Sequence, residues 1–435
     1  MESPTLALPG AAASYAALVV MLLVGSVRCG GAPAPPVAPV KSVVRARDTA
    51  QAFLLKLTRP WPPESGALEL ALTNAQSGRV SSYDNALLAL YYIRNGRRED
   101  AGRILAALAT LQHEDGAIPF SFPWPRPEPN TFYVRSGATA WVGYAAVEYL
   151  DADSAGPARP EITKMAHLIA HYLLEHQLAH PGDPRDGLVL GGEGTFRLEV
   201  ASGRVVERFV PGAVVWAATE HNIDAYFFLR DFGTLTGDPR FSLAAERIRA
   251  ALLERGWMAD AGQFVRGYQE TELDRAYALD CASWGALFFL AAGDTLRAET
   301  SLGSAEFRYL SRDPAHATSG HRPYAHAPVI ESRALAQFLN NTLSATNWDE
   351  LDGVWAEGSA GVALAALRLG RRQRAEEILA SLERVRDIGG GLPTFTSEIP
   401  FDFDVQPSIA GTVWVELVRY ELTRPEGHQT LWRAK

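Results

Sequence analysis

Apolar and polar positions along most of the chain fall into two alternating patterns, both with a helical period. The first has no polar stripe: Ala86-Leu87-Leu88-Ala89-Leu90-Tyr91-Tyr92-Ile93 is apolar on every face, so a helix there must be surrounded. In the second, apolar residues keep to one face. Between Arg98 and Gln112, Ile104, Leu105, Leu108 and Leu111 share a side, while Arg98, Glu99, Asp100 and Arg103 occupy the start and the opposite side. The first pattern predicts buried helices over residues 83–94, 136–150, 219–235, 280–292, 357–369 and 407–422. The second predicts amphipathic helices over 43–57, 98–112, 161–177, 241–255, 296–310 and 373–385.

Six helices buried on all sides and six that cover them fit an inner ring inside an outer ring, an all-α (α/α)6 toroid. An open solenoid would leave a polar stripe on every inner helix. Separate helical domains would need linkers, and no Pro/Ser-rich or charged linker interrupts the chain after Pro39. Gly- and Pro-containing extended pieces at 115–122 and 391–396, and a strand-like segment at 187–209 with a hairpin turn within Val200–Val205, are expected as short β excursions in loops on one rim.

The N-terminus has a different character. Residues 1–29 read as a signal- or anchor-like leader, uncharged from Ser3 to Val27 and continuously apolar or small from Ala11 to Val27. Cys29 stands where a lipoprotein cleavage box would place it, although Arg28 departs from that pattern. Residues 30–41, with Pro33, Pro35, Pro36 and Pro39, read as a tether. The expectation is an extracytoplasmic address (secreted, periplasmic or membrane-anchored through this segment) for a single toroid domain over residues 42–435.

Composition narrows the chemistry. With 435 residues, 47% of them hydrophobic and 21% charged, the chain is committed to a large core. Its net charge is −9 and no run of like charge could follow a phosphate backbone, which excludes nucleic acid as the expected partner. Two cysteines, Cys29 and Cys281, build neither a disulfide framework nor a Cys-rich zinc site. His167 with His171 and His176 with His180 lie on or just beyond an amphipathic helix, and there is no HExxH pattern, so no metal is expected. No phosphate loop, dinucleotide fingerprint or nucleophile elbow is present, and no cofactor is implied. Asp402-Phe403-Asp404-Val405 lacks the second half of the Asp-rich motif of terpenoid cyclases.

The starts of the buried helices carry the candidate chemistry: Tyr83-Asp84-Asn85, Arg135-Ser136, Thr219-Glu220-His221-Asn222-Ile223-Asp224, Asp280-Cys281-Ala282-Ser283-Trp284 and Trp355-Ala356-Glu357. In a toroid all inner helices run the same way, so these starts converge at one mouth. Capping explains any single Asp or Ser there. It does not explain Glu220 and Asp224 one turn apart, nor an aromatic beside each acid. Paired carboxylates with flat rings suit glycoside chemistry, in which one acid donates a proton to the leaving oxygen and a second attacks the anomeric carbon or activates water. Among 10 Trp residues, Trp141 and Trp414 lie within apolar stretches and read as core, while Trp216 and Trp355 stand beside acids and read as cleft.

The segments Tyr83-Asp84-Asn85-Ala86, Thr219-Glu220-His221-Asn222-Ile223-Asp224 and Trp355-Ala356-Glu357-Gly358 resemble recurring segments of the six-hairpin glycosidase-like superfamily of bacterial (α/α)6 enzymes. The resemblance implies the toroid and a poly- or oligosaccharide-directed site in the inner-ring mouth. The expected catalytic carboxylates are Glu220 and Glu357, with Asp84 and Asp224 positioning water or sugar. Tyr83, Arg135, His221, Trp216, Asp280, Trp284 and Trp355 are expected to bind substrate. Two other readings stay open. In a polysaccharide lyase, Arg135, His221, Asn222 and Tyr133 would supply the uronate neutraliser and the base. A non-catalytic carbohydrate-binding scaffold would keep the aromatics without a working acid pair.

Overall fold

The structure, a computed structural model, describes residues 40–433 apart from 65, 128–131, 153–155, 157, 340–345, 401, 426–428 and 430, with the backbone alone for 40–47 and 333. The leader, Cys29 and nearly all of the tether lie outside the described residues. One body spans Val44–Lys435. Among the described residues no helix is long and apolar enough to cross a membrane.

Six all-apolar stretches and six amphipathic ones fold as helices with ends close to those expected. The chain opens with α1 (Val40–Leu57), followed by the pairs α2 (Ser82–Arg94) and α3 (Arg98–Leu111), and α4 (Ser136–Ala152) and α5 (Arg159–Glu175). Next come α6 (Thr219–Thr236) with α7 (Pro239–Ala251) and α8 (Asp280–Ala291) with α9 (Thr295–Arg308). A short α10 (Arg333–Phe338), absent from the sequence pattern, precedes α11 (Ala356–Arg368), α12 (Arg372–Leu382) and α13 (Ile409–Leu422).

Helices α2, α4, α6, α8, α11 and α13 pack each against the next, and α13 against α2, so the inner ring closes. Their burial matches their composition: every residue of α4 from Ser136 to Leu150 is buried, as is every residue of α8 from Asp280 to Phe289. Helices α3, α5, α7, α9 and α12 pack outside their partners with one buried face, such as Ile104, Leu105 and Leu108 of α3.

One backbone hydrogen bond recurs six times and sets the direction of the ring. The N–H at each inner-helix start donates to a carbonyl on the segment leaving an outer helix: Ser82 to Phe120, Ser136 to Gly191, Thr219 to Arg266, Leu279 to Pro323, Ala356 to Thr394 and Ile409 to Thr73, at 2.9–3.2 Å. The sixth pairing joins the last helix to the segment after α1, where Asn74 also bridges Ser408. All six inner helices therefore start at one rim, and the short β ladders lie there. A second repeat supports the first. Three residues further along, Asn85 and Asn222 each clamp the backbone N–H and C=O of the preceding outgoing segment (Ala71 and Val189), while Ser359 and Thr412 accept from His321 and Leu392 N–H.

The excursion expected within 187–209 is a long hairpin, Gly192–Ala201 paired with Arg204–Val214, turning through Ser202 and Gly203, both at positive φ. This is the conformation favoured in two-residue hairpin turns.

Candidate active site in the inner-ring mouth

The residue following each pinned N–H defines a layer at the rim: Tyr83, Gly137, Glu220, Asp280, Glu357 and Ala410. Three of the six are carboxylates. None occupies the N-cap position of its helix, and Ala218, Leu279 and Trp355, which do, make no side-chain capping bond. The helices are therefore not using these acids as conventional caps, and the acids remain free to face the mouth.

One turn deeper the same faces carry Leu87, Trp141, Asp224, Trp284, Gly361 and Trp414. Trp141, Trp284 and Trp414 come from alternate helices of the ring, yet their rings lie 5.6–6.0 Å apart, so they meet on the axis. Trp432 from the C-terminal tail joins them from the far end, 5.0 Å from Trp141, 5.1 Å from Trp284 and stacked 5.0 Å from Phe227. Its N–H donates to Tyr144 Oη, and its carbonyl accepts from Arg368, which is paired with Glu421. The tryptophan cluster is thus a plug that forms the floor of the mouth, each aromatic pair adding about 0.5–1.5 kcal/mol beyond its burial.

Trp284, expected at the substrate, lies in this floor and is 5% exposed. Trp414, expected in the core, is there too, but its indole N–H reaches Tyr83 Oη at 2.8 Å, and Tyr83 O–H in turn donates to Glu357 Oε1. The relay from floor to rim fixes the Glu357 carboxyl.

The electrostatics distinguish the acids. Burial pushes the Glu357 carboxyl up to about 8, with Tyr83 opposing and the charges of Asp84 and Glu220 adding to the rise. Burial likewise holds Asp224 and Asp280 well above the carboxylate range, and Glu220 adds to both. These mutual influences put Glu220, Asp224, Asp280 and Glu357 in one cluster, which holds fewer negative charges than it has carboxyls. Glu220 is raised by burial too, but Arg266 opposes, and its side chain remains 40% accessible in the rim layer. Arg266 is itself held by Asp274 at 2.7 Å and Glu331 at 3.0 Å. The Tyr83 phenol is kept protonated by burial and by Glu357.

His221 lies beside Glu220, with Nε2 3.7 Å from Oε1, and burial lowers it to about 3, so its imidazole is neutral. Its Nδ1 has no protein partner. Gly137 makes room for this corner: a Cβ there would stand 2.5 Å from the His221 ring and 2.9 Å from Asp224 Oδ2.

Asp84 borders the cluster beside the start of α13: burial raises it to about 7 while Thr73 and the Ala410 backbone stabilise its charge, and that charge reaches Glu357. The remaining expected residues lie around this centre. Trp355 lies against Phe403, with its six-membered ring in the space beside Gly358. Trp216 stands 5.6 Å from the His221 ring, and Arg135 lies over Tyr133 and Trp216. The Arg135 donors go to the carbonyls of Val134 and Gly194 and to Thr195 Oγ1. Asn222 has its carbonyl and amino group both occupied by backbone. Arg266 and Tyr324 were not anticipated as site residues. Burial raises the Tyr324 phenol, and the nearby charge of Glu220 adds to the rise. Both sit on outgoing segments, which carry no helical pattern to single them out. No cluster of His, Cys, Asp and Glu able to hold a metal ion occurs among the described residues.

Six parallel inner helices, six outer ones and rim ladders define an (α/α)6 toroid among the described residues. Solved structures agree in fold. A glycosidase in complex with glucose superposes with TM-score 0.58 at 13% identity, covering 89% of this chain and 99% of that one. D-mannose isomerase gives TM-score 0.61 at 10% identity over 90% and 99%. A GH76 α-mannanase from Bacteroides thetaiotaomicron gives 0.53 at 11% over 87% and 96%. No protein-family model and no curated protein sequence matches the chain.

Proposed function

We propose that the protein is a glycoside hydrolase acting on a poly- or oligosaccharide in the inner-ring mouth. The observation that carries this reading is the rim layer itself, in which equivalent positions of the inner helices hold Glu220, Asp280, Glu357 and Tyr83 in unequal electrostatic settings. Pairs of acids with separated proton affinities are what a glycosidase needs. Glu357, protonated near neutrality, is the general acid that gives its proton to the glycosidic oxygen, and Tyr83 O–H steadies the carboxylate left behind. Glu220, facing Arg266 and open to solvent, is the base or nucleophile. Asp224 and Asp280, held protonated, donate hydrogen bonds to sugar hydroxyls, and Trp216 offers a flat face. The apolar leader and proline tether support an extracytoplasmic address.

A polysaccharide lyase draws less support, because Asn222 is spent on backbone and Arg135 on the hairpin root. The test is a panel of α- and β-glucans, mannans, xylan and uronate polymers, read both by reducing ends and by ultraviolet absorbance of unsaturated uronates. Reducing ends without new absorbance, lost about 10²–10⁴-fold in Glu357→Gln and Glu220→Gln, are expected. New absorbance would replace the hydrolase by the lyase. Saturable binding with no turnover, unchanged in both variants, would leave a binding scaffold.

A further inference from the structure

The long hairpin Gly192–Ala201/Arg204–Val214 is anchored firmly at its root. Its first residues pair with Val134 and Arg135 at the entrance to α4. Arg135 ties down Gly194 O at 2.8 Å and Thr195 Oγ1 at 3.2 Å, and the Tyr133, Phe196 and Phe209 rings stack edge to face or tilted at 5.2–5.4 Å. Gly194 sits at φ 64, and a Cβ there would meet Phe132 O at 2.7 Å, so the bend that aims the hairpin depends on glycine.

The direction of the hairpin is informative. It leaves the ring between α4 and α6, yet its first strand packs against α10, which belongs to the connection between α9 and α11. The hairpin therefore joins the α4 entrance to the connection between α9 and α11, two places on the starting rim separated by α6 and α8. Leu335 and Leu339 at α10 are buried at 5% each, and Glu331 just before it bridges to Arg266, whose carbonyl pins the start of α6. The span is thus tied to the ring at both ends, at the α4 entrance and through α10 and Glu331 to Arg266 beside Glu220.

A polymer that threads a site needs the mouth open on two opposite sides. Resting on the hydrolase reading above, we propose that the hairpin and α10 close one side, so that the site accepts a chain end and the enzyme is exo-acting, releasing mono- or short oligosaccharides from oligosaccharides or polysaccharide termini. The span sets the mode of cleavage and takes no part in bond breaking.

The experiment digests unlabelled linear glycans of the panel and follows the length distribution of all products early in turnover by chromatography with a detector that registers every carbohydrate. Sugars of one or two units are expected from the start, with the polymer distribution nearly unchanged. Fragments of intermediate length at the outset would overturn the exo mode while leaving hydrolysis intact, whereas absence of turnover on every glycan would remove the hydrolase reading and this inference with it. A shortened variant joins Arg197 to Arg208, which are paired across the strands, through an Asn-Gly turn. It is expected to gain intermediate-length products at least several-fold, and an unchanged product profile from a folded variant would show that the span does not set the mode. Should the variant fail to fold, the wild-type distribution decides alone.

Discussion

Replacing Tyr83 by Phe removes one O–H and leaves the ring, and it tests the assignment of Glu357 directly. Tyr83 donates to Glu357 Oε1 and accepts from Trp414, so the variant deletes a hydrogen bond to the charged form of the carboxyl and also takes the acceptor from the Trp414 indole N–H. A hydrogen bond to a charged group contributes about 1.5–3 kcal/mol, and about 1.4 kcal/mol corresponds to one pKa unit. Tyr83 is partly exposed and the Trp414 indole also reaches Glu357, so the lower end of the range applies: a rise of about 1 unit from the starting value of about 8. A general acid works only while it holds its proton, so the alkaline limb of kcat/KM should move up by about that amount. The plateau should fall, because a weaker acid protonates the leaving oxygen less readily. The assay is kcat/KM against pH on the best glycan of the panel, with the Glu357 carboxyl infrared band, identified by its loss in Glu357→Gln, as an independent readout. An alkaline limb that stays in place or moves down refutes the donor relay, the role of Glu357, or both.

Other outcomes follow from the same geometry. Gly137→Ala places a methyl against His221 and Asp224 and should lower kcat/KM by about 10²-fold, with the KM–kcat split measured beside the melting temperature. Folding raises Glu357 from 4.5 to about 8 and Asp84 from 3.8 to about 7. Carboxyls of that kind favour the folded state fully below their unfolded values and lose the benefit as pH rises through the folded ones. Melting temperature should therefore decline between about pH 4 and pH 8 from this source, and Glu357→Gln should flatten the decline; a slope identical to wild type would contradict it. Asn85→Ala and Asn222→Ala each strand a buried backbone N–H and C=O, which should cost about 1–3 kcal/mol in denaturant titrations. Trp432→Ala should cost about 3–5 kcal/mol and, by loosening the floor under Trp414, lower kcat as well.

The rings were legible in the sequence because burial leaves a signature that no other arrangement shares: α4 and α8 have no polar stripe, and their ends follow from where that apolar run begins. The rim acids were legible as residues at helix starts. What stayed hidden depends on the angle of a face around the axis. Trp141, Trp284 and Trp414 look unlike in sequence context but occupy the same turn of alternate helices, so they share one floor. Asp84 sits one residue past the rim layer, which turns it towards the start of α13, at the edge of the cluster where its charge still reaches Glu357. Arg266 and Tyr324 come from irregular segments, where no periodicity reports a direction. Helix α10 is too short for its pattern to register, and its place beneath the hairpin comes from tertiary packing.

The bond from Ile409 N–H to Thr73 O joins the two ends of the domain. An open repeat protein can stop after any unit and still be a smaller version of itself. A ring closed between its first and last helices has no such intermediate: during synthesis one flank of α2 and one of the newest inner helix stay bare until α13 arrives. The mouth is therefore among the last parts of the molecule to exist, and any chain truncated before α13 lacks both a wall of the site and the final tryptophan of its floor.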